Sequence, residues 1–373
     1  MNPAMPEAHV LTDRWSRLST RLAEAGVDAV LLNGGPDLAH LTGYHAMPLE
    51  RLTALVARAD ADRPTLLVPE LEQARVERCD SAFEVLPWGE LEDPITVALD
   101  VVGEASSVAF SDDLWGMHVL ALGRARPEMN LLTVSESLHG IRAVKPPEEL
   151  EALRTVGALA DQVMAMIQTG EIPLVGRTEA AIADDVAQNL LRVGHEKVMF
   201  VIVASGPNSA SPHHHPDDRV VQADEMVLFD FGGTHQGFNS DTTRCVFTGP
   251  IPNDVRTAYD SLMTAQQAAV EAACVGNRLC DVDAAARSTL EAAGHGPAFV
   301  HRTGHGIGAE VHEEPYVTAK NTAPVQIGHA FSIEPGIYYD GRWGMRLEDI
   351  VVVGADGEAI RCNNSERDLV MVG

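Results

Sequence analysis

Residues 227–244, VLFDFGGTHQGFNSDTTR, constrain the fold more than any other stretch of the chain. Apolar side chains recur at every second position up to Phe231, which is the period of a β-strand. A Gly-Gly pair then supplies a permissive backbone, and a second extended run opens on Asp241. The pattern predicts a hairpin that brings Asp230 and Asp241 onto neighbouring rungs of one sheet.

These two aspartates predict a cation site. Carboxylates held side by side in an apolar setting repel each other, so one of them retains its proton unless a positive charge lies nearby. An exposed turn with ordinary acidic residues is the alternative. The hairpin alone leaves both interpretations open.

Three further residues have the surroundings of metal ligands. His305 lies among the glycines of GHGIG, where the backbone can approach a bound group closely. Glu334 ends the predicted strand FSIE, and Glu348 lies in MRLED, on the strand expected to return antiparallel to it. Singly, each fits a loop or a solvated strand edge. With the hairpin they give four carboxylates and one histidine among apolar strands, and unpaired buried charges are costly.

The charges of this set predict the metals that it would hold. Two divalent cations bring four positive charges, which balance the two aspartates and two glutamates. Oxygen-rich coordination with one imidazole suits Mn²⁺, Co²⁺ or Zn²⁺. We expect two ions per chain. In two-metal hydrolases, ions about 3.5–4 Å apart make a bridging water a nucleophile near neutral pH.

Strands and helices alternate along the N-terminal part of the sequence, which indicates a three-layer α/β domain. This part has no GxGxxG phosphate loop, so a nucleotide site is not expected there. The domain ends near Val144-Lys145-Pro146-Pro147, because a Pro-Pro pair does not fit inside a helix while Pro147 suits a first turn. We predict two domains, residues 1–143 and 144–373.

Composition narrows the classes of partner. The 54 acidic residues outnumber the 27 lysines and arginines, and the resulting charge of −27 repels nucleic acid and anionic lipid. No apolar run reaches the length of a membrane span, and the N-terminus does not resemble a signal peptide. The five cysteines match no zinc spacing, so we expect reduced, mostly buried thiols and a cytoplasmic protein.

The motifs around the candidate ligands resemble those of a known family. DFGG, SDTTR, GHGIG, IEPG and RLED are similar to the motifs of the M24 metallopeptidases of the pita-bread fold. Within that family they resemble the proline peptidases, Xaa-Pro dipeptidase (prolidase) and aminopeptidase P. The resemblance implies five metal ligands: Asp230, Asp241, His305, Glu334 and Glu348.

This resemblance covers nearly the whole chain and implies its architecture. The expected fold class is α/β (α+β), with a creatinase-like α/β N-terminal domain followed by a pita-bread catalytic domain. A homodimer is also implied. Methionine aminopeptidases share the site but usually lack such an N-terminal domain.

The resemblance also implies roles for residues outside the ligand set. His213 in SPH and His312 in VHEEP match two substrate-side histidines, and Arg346 matches an arginine that orients acidic groups or the substrate. His214 and His215 are expected to be bystanders on a solvated loop.

The expected reaction is hydrolysis of Xaa-Pro bonds by a metal-bridging hydroxide. Glu334 would carry the proton from the water to the proline nitrogen. His213 and His312 would stabilise the charge that develops on the carbonyl oxygen.

We expect Xaa-Pro dipeptides as substrates, with aminopeptidase P activity on longer peptides as the alternative. Some prolidases carry a basic residue just after His-Glu-x-Pro, where this chain has Tyr316. Arg302, Lys320 or Arg346 would then have to hold the proline carboxylate. A non-peptide amide substrate also fits the site. A metal-free hydrolase or binding scaffold of the same fold fits less well, because all five ligand positions are intact.

Overall fold

The computed structural model describes residues 6–76, 81–138 and 140–372. The chain divides into two compact units, Met1–Arg142 and Ala143–Gly373. The functional domain limits set from the sequence, 1–143 and 144–373, stay a prediction. Among the described helices, none is both long and apolar enough to cross a lipid bilayer.

The N-terminal unit is built on a six-stranded mixed sheet. Its strands are β1 (Ala29–Asn33), β2 (Ala54–Arg58), β3 (Thr65–Pro69), β4 (Glu84–Trp88), β5 (Ser107–Phe110) and β6 (Asn130–Thr133). Their order is β4-β3-β2-β1-β5-β6. The pairs β1–β2 and β2–β3 are antiparallel, and the other three pairs are parallel.

Helices cover both faces of this sheet. They are α1 (Ala8–Ala25), α2 (Pro36–Thr42), α3 (Pro94–Val102), α4 (Gly116–Ala125) and α5 (Val134–Leu138). Because successive strand residues point to opposite faces, Val30 and Leu32 of β1 pack in one core with α1. Ala29 and Leu31 pack in the other core with α3 and α4. The predicted three-layer α/β arrangement is confirmed.

Two details of this unit differ from the sequence prediction. From the sequence alone we expect a helix over residues 70–78, whereas the structure has a 3₁₀ helix over Glu70–Arg75; residues 77–80, with Cys79, lie outside the described part. We also expect a strand over residues 130–134, but this strand ends at Thr133 because Val134 already begins α5.

The C-terminal unit opens with the long helix that Pro147 was expected to begin. Its helices are α6 (Pro147–Gln168), α7 (Glu179–Val193), α8 (Asn253–Ala272) and α9 (Leu279–Ala292). From the sequence we expect Thr178 to cap the helix that follows it, and this is confirmed: its hydroxyl accepts a hydrogen bond from the backbone N–H of Ala181 at the start of α7.

The strands of this unit form two larger sheets and one two-stranded ribbon. They are β7 (Lys197–Ser205), β8 (Met226–His235), β9 (Phe238–Asn239), β10 (Thr242–Phe247), β11 (Gly304–Gly306), β12 (Glu313–Val317), β13 (Ala330–Ile333), β14 (Gly336–Tyr339), β15 (Trp343–Arg346), β16 (Asp349–Val353), β17 (Ala359–Arg361) and β18 (Val370–Met371). The first sheet has the order β18-β10-β8-β7, with β9 paired to β8, and the second has the order β12-β11-β13-β16-β17. Strands β14 and β15 form the ribbon.

The predicted hairpin is confirmed. Strands β8 and β10 pair antiparallel, with Asp230 opposite Thr243, and Asp241 lies directly before β10. Val227 and Phe229 pack against α6 and α7, while Leu228 packs in the core shared with α8, α9 and the second sheet. By the same alternation, Asp230 belongs to the face of Leu228.

The single strand predicted through MRLED is wrong. Strand β15 ends at Arg346 and pairs with β14, whereas β16 begins at Asp349 and pairs with β13. Between them, the backbone N–H of Glu348 donates to the carbonyl of Thr243, 3.1 Å away, in an isolated bridge to the first sheet. Glu348 therefore lies where the two sheets meet.

We predict that Gly304→Ala destabilises the C-terminal unit. A Cβ at Gly304 would lie 1.8 Å from the carbonyl oxygen of Ser332, so β11 and β13 would have to separate. Overpacking of this kind costs about 1–3 kcal/mol. Urea-induced unfolding followed by circular dichroism measures the loss.

Gly116→Ala is the matched control, because a Cβ there meets nothing within 4 Å. We expect it to change the free energy of unfolding by less than about 0.5 kcal/mol. Equal midpoints for the two variants would contradict the prediction.

Candidate metal centre

The hairpin and the second sheet bring two acidic side chains to His305. The Oδ2 atom of Asp241 is 3.7 Å from His305 Nε2, and Glu334 Oε1 is 3.3 Å from the same nitrogen. His305 lies in β11, and Glu334 directly follows the neighbouring strand β13. Ser332 fixes both, because its hydroxyl accepts from the backbone N–H of His305 and donates to Glu334 Oε1, at 3.0 and 3.1 Å.

Glu348 enters the site from the junction between the sheets. The Thr243 hydroxyl donates to Glu348 Oε2 at 2.6 Å, which orients the carboxylate beside the hairpin. One possible ligand atom from each of Asp241, His305 and Glu348 lies within 4.8 Å of the others, and all three residues are buried. Asp230 is also at the cluster, because its charge acts on these carboxyl groups.

The structure thus brings together all five residues that the sequence singled out as ligands. Their metal-binding role stays a prediction.

Burial and mutual repulsion alter the protonation of the cluster. Burial, followed by the charges of neighbouring carboxylates, raises the pKa of Asp241 and of Glu348 well above the usual range. Burial likewise raises the pKa of Glu334 to about 7, against the opposing effect of Arg346. Burial and the nearby His312 lower the pKa of His305 to about 3, so its imidazole is neutral at physiological pH.

These features fit a pair of divalent cations. The buried oxygens Asp230 Oδ1, Asp241 Oδ1 and Glu348 Oε1 accept no hydrogen bond from any described residue. Oxygens of this kind and a neutral imidazole are donors that Mn²⁺, Co²⁺ and Zn²⁺ accept. Cys245 contributes no thiolate, because burial raises its pKa to about 12 and it packs in the apolar core, as the sequence predicted.

Arg346 is fully engaged in holding this site. Its Nη2 atom donates to Asp230 Oδ2, and its Nε donates to the Thr243 hydroxyl. Its Nη1 donates to the Tyr338 hydroxyl and to the carbonyl of Pro212, at 2.8 and 3.3 Å. The side chain therefore orients an acidic ligand and the loop before His213.

Two histidines lie on the open side of the cluster. The ring of His312 is 4.0 Å from that of His305, centroid to centroid. His213 is exposed in the loop after Pro212, and its charge acts on His312. His312 thus lies directly beside the cluster, and His213 lies within electrostatic range of His312. Their role on the substrate side stays a prediction.

The expectation that His214 is a solvated bystander is wrong. Its side chain is only 14% exposed, and its Nε2 atom lies 2.6 Å from Oε2 of the fully buried Glu179. Glu179 also accepts from the backbone N–H and hydroxyl of Ser205 and from the Asn208 amide. His215, by contrast, is exposed as expected.

Some residues that hold the site were missed by the sequence analysis. Glu179 fixes both ends of the His213 loop, and Arg244 forms a buried ion pair with Asp349, 2.6 Å long, behind Glu348. Tyr338 joins Arg346 to His301. Of these residues, Arg244 is the one with a local sequence signal, because it directly follows the SDTT motif. The roles of Glu179 and Tyr338 depend on contacts with residues distant in sequence.

The fold and the site define a class of protein, a two-unit chain with a carboxylate-rich candidate metal site where two sheets of the C-terminal unit meet. Family models agree: residues 14–144 match the creatinase/prolidase N-terminal domain and residues 151–355 match metallopeptidase family M24. The chain belongs to metallopeptidase family M24. This confirms the family and the fold class that the motifs predicted.

Relatives in the proline peptidase group support the same assignment. A probable dipeptidase, PepE, from Mycobacterium tuberculosis is 42% identical over 371 residues, covering 98% of this chain and 98% of the relative. The Xaa-Pro dipeptidase of Lactobacillus helveticus is 35% identical, covering 91% and 94%. The crystal structure of dipeptidase PepE from Mycobacterium ulcerans is 40% identical, covers 98% and 99%, and superposes with a TM-score of 0.93.

We predict that Glu334→Gln makes the metal-free protein progressively more stable than wild type as pH rises from about 4.5 to 7. The wild-type carboxyl ionises at lower pH when unfolded than when folded, so the folded state loses relative stability through this window. The difference should reach on the order of 3 kcal/mol. Urea unfolding of chelator-treated protein at several pH values measures it.

The comparison with wild type is needed because partial burial lowers the pKa of His301 to about 4, and this residue therefore changes stability with pH in the opposite direction. Glu358→Gln, at an exposed position, is the control and should show no pH-dependent difference. A constant difference between Glu334→Gln and wild type at all pH values would refute the prediction.

Proposed function

We propose that this chain hydrolyses the peptide bond before proline in Xaa-Pro dipeptides. The carrying observation is the convergence of four carboxylates and a neutral imidazole, with three buried oxygens that no described residue satisfies. The names of its relatives support the substrate class: Xaa-Pro dipeptidase in Lactobacillus helveticus and, at 31% identity and a TM-score of 0.86, prolidase in Thermococcus sibiricus.

We propose that two divalent ions, Mn²⁺ as the first choice, are held by the five converging residues. The four carboxylates balance the charge of two such ions. When bound, the ions would polarise the scissile carbonyl and lower the pKa of the attacking water. The residues that would hold them are Asp230, Asp241, His305, Glu334 and Glu348.

Glu334 is proposed to move the proton. Ser332 occupies its Oε1 atom, whereas Oε2 has no hydrogen-bond partner among the described residues. Burial raises the pKa of this carboxyl to about 7 in the metal-free protein, which supports a role in proton transfer near neutral pH. It takes a proton from water as the oxygen attacks the carbonyl carbon, and delivers it to the proline nitrogen as the C–N bond breaks.

The two histidines on the open side are proposed to stabilise the carbonyl oxygen as its negative charge develops. Partial burial lowers the pKa of His312, so it acts as a neutral N–H donor. Arg346 holds Asp230 and the Pro212 carbonyl, and thereby keeps His213 near the site. The acidic cluster would attract the free amino group of the substrate.

The proposal also includes a cytoplasmic location, a homodimer and an alternative activity. Reduced thiols at Cys245, Cys274, Cys280 and Cys362 fit a cytoplasmic location. The homodimer and the functional domain limits at 143 and 144 rest on the family resemblance and the sequence. Aminopeptidase P activity is the second candidate, favoured by Tyr316 at a position where some prolidases carry a basic residue.

We predict that purified protein binds about two Mn²⁺ per chain and that chelation abolishes hydrolysis of Ala-Pro. Elemental analysis measures the metal content, and release of free proline measures hydrolysis of Ala-Pro. Ala-Ala is the control substrate, and its hydrolysis is followed by release of alanine. Co²⁺ and Zn²⁺ added back to metal-free protein identify the preferred ion. Full activity after complete chelation would refute the metal-dependent reaction.

We predict that Glu334→Gln lowers kcat for Ala-Pro by at least about 100-fold, because proton transfer contributes about 10²–10⁴. Glu358→Gln, an exposed control, should keep wild-type kcat. Metal content of the variant separates loss of an ion from loss of the proton carrier. Unchanged turnover by Glu334→Gln would exclude its proton-transfer role.

A further inference from the structure

A dipeptide presents a chemical requirement that longer peptides do not. Its free carboxylate lies one residue beyond the scissile bond, within about 7 Å when extended. The cluster of four carboxylates repels that group, so a dipeptide-selective site needs a cation beside the acidic centre. The inference below rests on the proposed function and concerns which residue meets this need.

Two of the three basic candidates are poorly placed. The guanidinium of Arg346 already donates to Asp230, Thr243, Tyr338 and Pro212, and the side chain is 3% exposed. Lys320 is exposed beyond the end of β12. This leaves Arg302.

Arg302 lies beside the candidate catalytic residues on the second sheet. It precedes β11 closely, and the next residue, Thr303, donates its backbone N–H to the carbonyl of Val317 in β12. The guanidinium carbon is 4.5 Å from the centroid of the Tyr316 ring. Burial alternates along β12, and its more open positions include Tyr316. The stacked pair thus lies on the more open side of this strand.

The guanidinium of Arg302 is half-buried and has no hydrogen bond or ion pair with any described residue. The cation–π contact with the Tyr316 ring holds the guanidinium, and its N–H groups have no partner among the described residues. Arg287 provides the contrast: it also stacks on an aromatic ring, that of Phe299, but it is paired with Asp283 at 3.0 Å. An oriented, unpaired cation beside an acidic site is suited to an incoming anion.

Arg302 and Tyr316 flank the segment that carries both His305 and His312. Arg302 precedes His305 by three residues, and Tyr316 follows His312 by four. The rings of these two histidines are 4.0 Å apart, centroid to centroid, so the Arg302–Tyr316 contact joins the two ends of the segment that enters the site.

We propose that Arg302, oriented by stacking on Tyr316, binds the C-terminal carboxylate of the substrate and selects dipeptides over longer peptides. Two guanidinium N–H groups pair with the two carboxylate oxygens. Tyr316 then has a distinct role, because its ring orients the cation where some prolidases carry a basic residue. A peptide extended beyond proline has no carboxylate at this point and leaves Arg302 unpaired.

The test compares Gly-Pro with Gly-Pro-amide, which lacks the charged group, using metal-loaded full-length protein. We expect wild type to prefer the acid in kcat/KM, and Arg302→Gln to lower kcat/KM for the acid by about 10- to 100-fold while changing the amide little. The lower kcat/KM should result mainly from a higher KM. Equal losses for acid and amide, or a wild type without acid preference, would overturn the proposal.

Matched variants distinguish the effect of the Arg302 charge from that of the Tyr316 ring and from nonspecific effects of a substitution. Arg302→Lys keeps the charge but not the paired N–H groups, and should be intermediate. Tyr316→Phe keeps the ring and should retain acid preference. Lys320→Gln removes an exposed cation and should behave as wild type. Loss of acid preference in Lys320→Gln but not in Arg302→Gln would assign the anchor to Lys320 and overturn the proposal.

A binding measurement distinguishes failure of this proposal from failure of the proposed function. Isothermal titration calorimetry compares L-proline with L-prolinamide, and Arg302→Gln should weaken only the binding of proline. If wild type hydrolyses no Xaa-Pro substrate but binds proline through Arg302, the proposed hydrolytic function is refuted, whereas the carboxylate-binding role of Arg302 is retained. If wild type cleaves Xaa-Pro peptides but Arg302→Gln binds proline as tightly as wild type does, the proposed function stands and the role of Arg302 as carboxylate anchor is refuted.

Discussion

Repulsion among buried carboxylates is the constraint on which the rest of the C-terminal unit depends. Four acidic side chains converge on His305, and Arg346 is the cation that contacts them directly, through Asp230. Protonation relieves the repulsion in the absence of other charges, which is why burial and repulsion raise the pKa values of Asp241 and Glu348. Bound divalent cations, as proposed, would relieve it without protonation and would thereby link metal binding to folding of this region.

Two adjacent acidic residues, Glu348 and Asp349, differ in whether their carboxylate oxygens have partners in the protein. Asp349 is fully buried, and its oxygens accept from Arg244 and from the Gln266 amide, with Arg361 3.0 Å away. Glu348, one residue earlier, keeps one buried oxygen that no described residue satisfies. A satisfied ion pair holds the backbone in place, and the unsatisfied oxygen beside it remains available to a ligand.

Much of the fold was predictable because the elements follow local rules. The alternation before Asp230 gave the hairpin, Pro147 gave the start of α6, and Thr178 gave the cap of α7. The strand through Leu347 and Glu348 was mispredicted, because the chain turns there to bridge the first sheet, and no local pattern records that contact.

The sequence by itself determined the fold class, the family and the five residues that meet at the site, because short motifs fix strand ends and residue types. Only the tertiary structure decided which polar groups have partners. Asp230 meets Arg346 across 116 positions and Thr243 meets Glu348 across 105. The same holds for Glu179 with His214, which the sequence had assigned to solvent, and for Arg302, which has no ion pair within the described part of the chain. Charge energetics depend on distance and burial in space, which residue order does not record.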